Sequence, residues 1–105
     1  VVDLGEAKTC RSVTLGYLID TRVWIFPPER VDILVSRDNV NYEQVKSLSP
    51  QQVSEDAEVV NRLHFNFPGE KAQFIKLSVK NIIIPDWHFG NGHNGWFFAD
   101  EICVN

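Results

Sequence analysis

Residues 87–94 combine aromatic, imidazole and amide side chains in a glycine-bearing stretch of the sequence. A sugar presents an apolar face of C–H groups and a rim of hydroxyls, so a site that binds it pairs a flat aromatic ring with planar hydrogen-bonding groups. Gly90, Gly92 and Gly95 allow the backbone to turn tightly around such groups. The stretch therefore predicts a carbohydrate-binding site formed by Trp87, His88, Asn91, His93 and Asn94.

Arg22 and Trp24 could add a second wall to this site from the connection between two predicted strands. The aromatic residues also have a structural interpretation, in which they anchor loops by packing and the glycines only permit the turn. For Trp24 both roles stay open, because the neighbouring Ile25, Phe26 and two prolines could hold it as a packing residue.

His88 and His93, with Asp86 nearby, are the residues that could bind a transition metal. Their spacing matches no regular zinc site, so we expect hydrogen-bonding loop residues instead.

A glycosidase needs two carboxylates that face each other across the scissile bond, roughly 5 to 9.5 Å apart. Asp100 and Glu101 are adjacent on a predicted strand and should point to opposite faces. The common hydrolase, phosphate-loop and zinc-protease motifs are also missing, so we predict no catalytic activity for the chain itself.

Composition restricts the remaining classes of function. The 105 residues suffice for one domain, placed at 1–105, and are too few for two cores. The net charge of −4 comes without a Lys/Arg cluster, so neither nucleic acid nor an anionic membrane surface is an expected partner. No apolar run approaches the roughly 20 residues that cross a bilayer, so no membrane insertion is expected. The sequence starts at Val1 with neither an initiator Met nor a signal peptide, and we expect a fragment of a larger protein.

Alternating apolar and polar residues predict the strands that position the loop. Residues 13–17 and 31–35 each alternate and predict two inner strands, with Pro27-Pro28 in the connection between them. Residues 36–42 contain Asp and Asn side chains that can bond their own backbone, and they predict a hairpin turn.

The second half of the sequence continues the same pattern. Residues 63–67 and 75–79 alternate on either side of Pro68-Gly69 and predict a second hairpin, whereas 50–60 predicts a surface loop or a single helical turn. A last strand is predicted from Trp96 to Val104, and the phase of Trp96 with the later apolar residues predicts a core position for it. This spacing is typical of an all-β sandwich of about seven or eight short strands.

Cys10 and Cys103 lie near opposite ends of the sequence. A bridge between them would close almost the whole chain and contribute about 4 kcal/mol, provided that their strands are neighbours. The alternative is two unpaired thiols, and the sequence leaves both open.

Several segments resemble the discoidin-like, galactose-binding-like jelly roll of coagulation-factor type C domains and family 32 carbohydrate-binding modules. These segments are Val2–Glu6, Val35–Tyr42, Phe74–Leu77 and Asp100–Ile102. Others are similar to the C-terminal domain of bacterial chitobiase-type β-N-acetylhexosaminidases of glycoside hydrolase family 20, namely Trp24–Pro28, Pro85–His88 and Gly95–Phe98.

The resemblance implies a jelly-roll β-sandwich that lacks its first strand in this sequence, which would leave an exposed sheet edge. In relatives, the missing early loop and a carboxylate before the last strand hold a structural calcium, a role that maps onto Glu101 with a carbonyl near Ala99. Because calcium takes about six to eight oxygen ligands, complete coordination is expected only in a full-length domain, and no other cofactor is required.

The implied function is that of a non-catalytic carbohydrate-binding module of a secreted bacterial glycoside hydrolase, such as a hexosaminidase. It would bind glycans of the galactose or N-acetylglucosamine type, and it would contact the catalytic domain of the same chain. The implied location is the periplasm, the cell surface or the extracellular space. The alternative is a structural domain that packs on the catalytic domain of its parent enzyme without binding sugar.

Overall fold

The computed structural model describes all 105 residues, which form strands and loops with one 3-10 turn at Thr21–Val23. Five strands form one antiparallel sheet in the order β3-β2-β4-β1-β5. The all-β class is thus confirmed, as a single sheet with fewer strands than the sequence predicts. No helix has the length and hydropathy of a membrane span. The strands are β1 (Val2–Asp20), β2 (Arg30–Ser36), β3 (Glu43–Leu48), β4 (Glu58–Lys80) and β5 (Phe98–Val104).

The sheet bends back on itself within β4. Glu58 at one end of β4 pairs with Asp20, and Lys80 at the other end pairs with Arg30. Only the segment 21–29 joins these two pairs, so they lie at most about 35 Å apart. A straight strand of 23 residues would span about 75 Å, whereas the longest dimension of the molecule is 46 Å. β4 therefore bends sharply enough to bring its two ends to the same end of the molecule.

An irregularity at residues 67–69 marks the place where β4 departs from a regular ladder, since these residues face Arg11 of β1 alone. Pro68 has no N–H to contribute to a ladder. Gly69 lies so close to β1 that an added Cβ would be 3.0 Å from the Thr9 methyl group. The predicted hairpin turn at Pro68-Gly69 is wrong, because the segments on either side pair with β1 and β2 and not with each other. β1 continues alongside both segments, so the dipeptide forms a β-bulge within one strand.

One hydrophobic core lies on the inner face of the sheet, and the inner strands predicted at 13–17 and 31–35 are confirmed. Leu15, Ile33 and Phe65 are fully buried representatives of β1, β2 and β4. Burial of each such side chain contributes about 1.5–3 kcal/mol. The complete cluster is Cys10, Val13, Leu15, Val31, Ile33, Val35, Phe65, Phe67, Ala72 and Ile75.

β5 is an edge strand with a neighbour on one side only, and its apolar residues are poorly covered. Trp96 is 67% exposed, Phe98 54% and Ile102 41%, so the predicted core position of Trp96 is wrong. β5 begins at Phe98, and Trp96 instead forms an isolated bridge with Ile25. The apolar phase is misleading because the strand does not extend back to Trp96, so its alternation does not set the direction of that side chain.

A β-bulge in β5 also changes the faces of its two carboxylates. The pairing with β1 passes from Glu101 to Ala99 and skips Asp100. Asp100 Oδ2 and Glu101 Cβ therefore both lie 3.6 Å from the position that a Cβ on Gly16 would occupy. The expectation that these two side chains point to opposite faces is wrong. They share an exposed sheet surface, and neither lines one of the two surface cavities.

Both cysteines are free thiols, Cys10 buried and Cys103 exposed. Cys103 pairs with Thr14, so residues 10–14 of β1 separate the two cysteines by about 13 Å along the strand. That separation is too large for a disulfide. Of the two alternatives that the sequence leaves open, a bridge or two unpaired thiols, the structure therefore has the unpaired thiols. Burial raises the pKa of Cys10, and the hydrogen bond to Glu101 raises the pKa of Cys103, so both remain in the poorly nucleophilic thiol form.

The turn between β2 and β3 is organised by Asp38, which confirms the hairpin predicted at 36–42. Its Oδ1 accepts hydrogen bonds at 2.9 Å from the N–H groups of Val40 and Asn41 and from the Ser36 hydroxyl. Its Oδ2 accepts one at 3.0 Å from the Asn41 amide. These bonds, with that of the Asn41 N–H first, hold the pKa of Asp38 far below its usual range.

We expect Asp38→Asn to lower the free energy of unfolding at pH 7, because the amide cannot replace a charged acceptor of several hydrogen bonds. A carboxylate whose pKa is depressed by folding stabilises the protein above its unfolded pKa of about 3.9, and this contribution is lost as the pH falls through the lower folded value. The difference in the free energy of unfolding between wild type and variant should therefore become smaller as the pH falls from 5 to 2. Urea denaturation at several pH values measures it. A difference that does not depend on pH would contradict this role.

Candidate functional site

The connection between β4 and β5 is closed at its base by a short antiparallel contact. Gly95 N–H donates to Ile82 C=O at 2.9 Å, and Ile84 N–H donates to His93 C=O at 2.8 Å. Further main-chain hydrogen bonds form successive turns between Pro85 and His93. The predicted site loop is therefore ordered by its own backbone.

His88 is the buried centre of this loop, with 3% of its surface exposed. Its Nε2–H donates to Thr21 C=O at 2.7 Å, and its Nδ1 accepts from Gly90 N–H at 2.9 Å. Because Nδ1 is an acceptor, the ring is the neutral Nε2–H tautomer. The ring also meets Phe26 edge-on at 5.2 Å and stacks on Phe89 at 4.3 Å between centroids. His88 thus ties the loop to the turn after β1 and has no ring nitrogen free for a ligand.

Trp24 reaches the same loop from the turn that follows β1. Its indole stacks on His93 with centroids 5.6 Å apart, and it meets Phe89 edge-on at 6.1 Å. Gly90 is required at this contact, since a Cβ there would lie 2.8 Å from Trp24 Cε2. Trp24 has a φ of 67°, a left-handed conformation that costs about 1–2 kcal/mol in a residue with a side chain. Its carbonyl accepts from Trp96 N–H at 2.8 Å, which helps to hold that conformation.

We call Trp24, Phe89 and His93 the aromatic platform. Phe89 is not among the site residues that the sequence predicts, yet it is 77% exposed. Its one sequence signal is an aromatic residue in a glycine-bearing loop rich in polar side chains. His93 is also exposed, so the platform presents ring surface to solvent.

The other predicted site residues are distributed around the platform. Asn91 is exposed, and its Nδ2 donates to the His88 carbonyl at 3.0 Å, which leaves its Oδ1 for a ligand. Trp87 is 36% exposed and packs on Phe26 with centroids 6.0 Å apart. Asn94 is exposed and lines a separate groove.

Arg22 is directed to other partners. Its guanidinium pairs with Glu58 and lies 3.5 Å from Asp20, on the side of β1 and β4. Two carboxylates already accept hydrogen bonds from its guanidinium, so Arg22 does not extend the ligand-binding surface of the platform.

Glu101, to which the resemblance assigns a calcium ligand, has neighbours that do not suit a cation. Its carboxylate lies 3.8 Å from Arg62 and accepts a hydrogen bond from Cys103 Sγ at 3.2 Å. No group of three or more His, Cys, Asp or Glu side chains converges in this structure to hold a metal ion. Because calcium takes about six to eight oxygen ligands, the residues present do not fit it.

The arrangement offers aromatic surface, one imidazole and one amide oxygen in an ordered loop. Such groups can stack against the apolar face of a neutral ligand and hydrogen-bond its hydroxyls. No protein-family model matches this sequence, and no curated protein is significantly similar to it. The function is therefore inferred from the residues of the site itself.

Proposed function

We propose that this chain is a non-catalytic carbohydrate-binding module of discoidin-like jelly-roll type. The observation that carries the proposal is the exposed aromatic platform, in which Phe89 and the Trp24–His93 stack lie in a loop ordered by its own hydrogen bonds. A preformed aromatic surface binds a sugar ring without a further cost for ordering the loop. The bend of β4, which folds one sheet back on itself, supports the jelly-roll assignment.

In this proposal the apolar face of a sugar stacks on the Phe89 ring or on the exposed part of the Trp24–His93 stack. Hydroxyl groups at the edge of the sugar bond to Asn91 Oδ1 and to the His93 ring. A shallow site of this kind binds weakly, with a Kd of roughly millimolar to micromolar. The ligands are glycans of the galactose or N-acetylglucosamine type.

The module would serve a secreted bacterial glycoside hydrolase, such as a hexosaminidase, in the periplasm, at the cell surface or outside the cell. Weak binding is useful there, because a tethered module raises the local concentration of the enzyme on its substrate. The module itself would need no cofactor and perform no catalysis.

The second candidate function is that of a structural domain that packs on the catalytic domain of its parent enzyme. It is favoured by apolar residues exposed outside the platform, namely Val23, Ile83, Trp96, Phe98 and Ile102. Exposed apolar surface of this kind often marks an interface. Deleting the module should then destabilise the parent enzyme, whereas a pure binding module can be deleted without that effect.

We expect Phe89→Ala to weaken sugar binding about fivefold, the effect of losing roughly 1 kcal/mol of aromatic contact. NMR titration with galactose, N-acetylglucosamine and chitobiose measures it, with the indole N–H signals and those of Asn91 as reporters. Phe98→Ala is the matched control, because Phe98 is an exposed phenylalanine on β5 outside the platform. An equal loss in both variants would show that the platform is not the sugar site. No response of wild type to any of the sugars would argue for the structural domain.

A further inference from the structure

A groove of about 1000 Å³ lies beside the loop that carries the platform. Its walls come from the segment 49–53 and from residues 79–85, which include the end of β4. Gln52 fixes the first wall, because its Nε2 donates to the carbonyls of Pro27 and Pro28 at 3.2 and 3.0 Å. The volume is at the upper end of the range of small-molecule sites, about 300–1,000 Å³.

The groove is separate from the platform, although the two share one loop. Asn94 lines the groove and forms a β-bridge with Ile83, whereas the preceding His93 stacks on Trp24. The loop therefore presents His93 to the platform and Asn94 to the groove.

Planar amide groups and free main-chain groups meet in this groove. Asn81 and Asn94 both line it with exposed side chains. The bridge at the base of the loop uses Ile82 C=O and Ile84 N–H, so the N–H and C=O of Ile83 make no main-chain hydrogen bond. A ligand amide can both donate to and accept from such groups.

The charge and the apolar lining of the groove restrict its ligand further. Glu29 and Lys80 are paired at 3.0 Å, so the charged groups of the groove cancel and a charged ligand is not favoured. Val79, Ile82 and Ile83 supply apolar surface, and no aromatic residue lines the groove. A sugar ring without substituents has no aromatic residue to stack on in this groove. A small apolar group attached to an amide can contact the apolar wall and also hydrogen-bond to the asparagine and main-chain groups.

We propose that the groove is a second subsite, which takes the acetamido group of an N-acetylhexosamine residue in a glycan. The amide of that group bonds to Asn81 and Asn94, and its methyl lies against the apolar wall. This inference rests on the proposed glycan-binding function and specifies its ligand. An extended peptide is a poorer fit, because strand addition needs a row of free backbone groups, whereas Ile82 C=O and the N–H and C=O of Ile84 are already used within the loop.

A comparison of chitobiose, used as N,N′-diacetylchitobiose, with cellobiose tests this proposal. Both are neutral β-1,4-linked disaccharides, and only chitobiose has acetamido groups. In an NMR titration of the chain, chitobiose should shift the side-chain signals of Asn81 and Asn94 and the N–H of Ile83, and cellobiose should not. Asn81→Ala should weaken chitobiose binding about fivefold, as for the loss of one hydrogen bond. The matched control is Asn105→Ala, an exposed asparagine outside the groove.

Equal shifts of the groove signals with both disaccharides would overturn the acetamido subsite, and so would shifts that only an extended peptide produces. If sugars shift the platform signals while the groove stays silent, the subsite is wrong and the proposed function stands. If the groove responds to chitobiose and the platform to no sugar, the subsite stands and the platform is not the site. Silence of both regions with every sugar would refute the proposed function together with the subsite.

Discussion

Replacing Phe65 with alanine should lower the free energy of unfolding by about 3–5 kcal/mol, the usual cost of removing a buried phenylalanine ring. Phe65 is fully buried on β4 and pairs with Val13 of β1. Its ring belongs to the core cluster that joins β1, β2 and β4, so its removal leaves a cavity where these strands meet. Since a domain of this size is stable by only about 5–15 kcal/mol, the variant would lose a large part of its stability.

Urea denaturation followed by circular dichroism measures this loss. Phe98→Ala provides the control, because Phe98 is 54% exposed on the edge strand and its removal should cost less than about 1 kcal/mol. Similar losses for the two variants would show that β5 is covered in solution. That result would contradict the description of β5 as an exposed edge.

Replacing His88 with alanine should lower the free energy of unfolding by about 3 kcal/mol and also weaken sugar binding at the platform. The substitution leaves the N–H of Gly90 without its partner in a buried place, and the carbonyl of Thr21 keeps only the hydrogen bond from Trp24 N–H. It also removes the ring on which Phe89 stacks, so the platform loses its support.

The comparison variant for His88 is His93→Ala. His93 is exposed, so its removal should reduce sugar affinity while the stability stays within about 0.5 kcal/mol of wild type. Thermal or urea unfolding gives the stability, and the NMR titration gives the affinity. An unchanged stability in His88→Ala would mean that the loop is not fixed through this ring.

The features that the sequence predicts correctly are those that depend on neighbours along the chain. The inner strands at 13–17 and 31–35 follow from apolar alternation, and the turn at Asp38 follows from side chains that bond their own backbone. Pro68-Gly69 has the chemistry of a turn, but the long partner strand β1 decides that it becomes a bulge. Trp96 has the phase of a core residue, but β5 begins only at Phe98, so the alternation of the strand does not extend to it.

The candidate site likewise has features that depend on neighbours along the chain and features that depend on distant residues. Its position in the loop at 87–94 can be predicted from composition, since glycines, amides and aromatic rings coincide there. The buried position of His88 cannot be predicted from composition, because its ring bonds to the main chain of Thr21, 67 positions away in the sequence. Phe89 is exposed for a related reason: His88 and Trp24 occupy the space beneath it.

The pairing of β1 with most of the length of β4 has a consequence for the rate at which the chain folds. Val2 pairs with Ile75 and Asp20 with Glu58, so β1 is synthesised well before β4 and must wait for it before their ladder can form. Chains dominated by such distant pairings fold in about milliseconds to seconds, far more slowly than helical domains. During that time β1 remains an unpaired, partly apolar strand. The nascent chain is therefore most prone to aggregation before β4 is complete, and a chaperone that covers β1 would protect it in this interval.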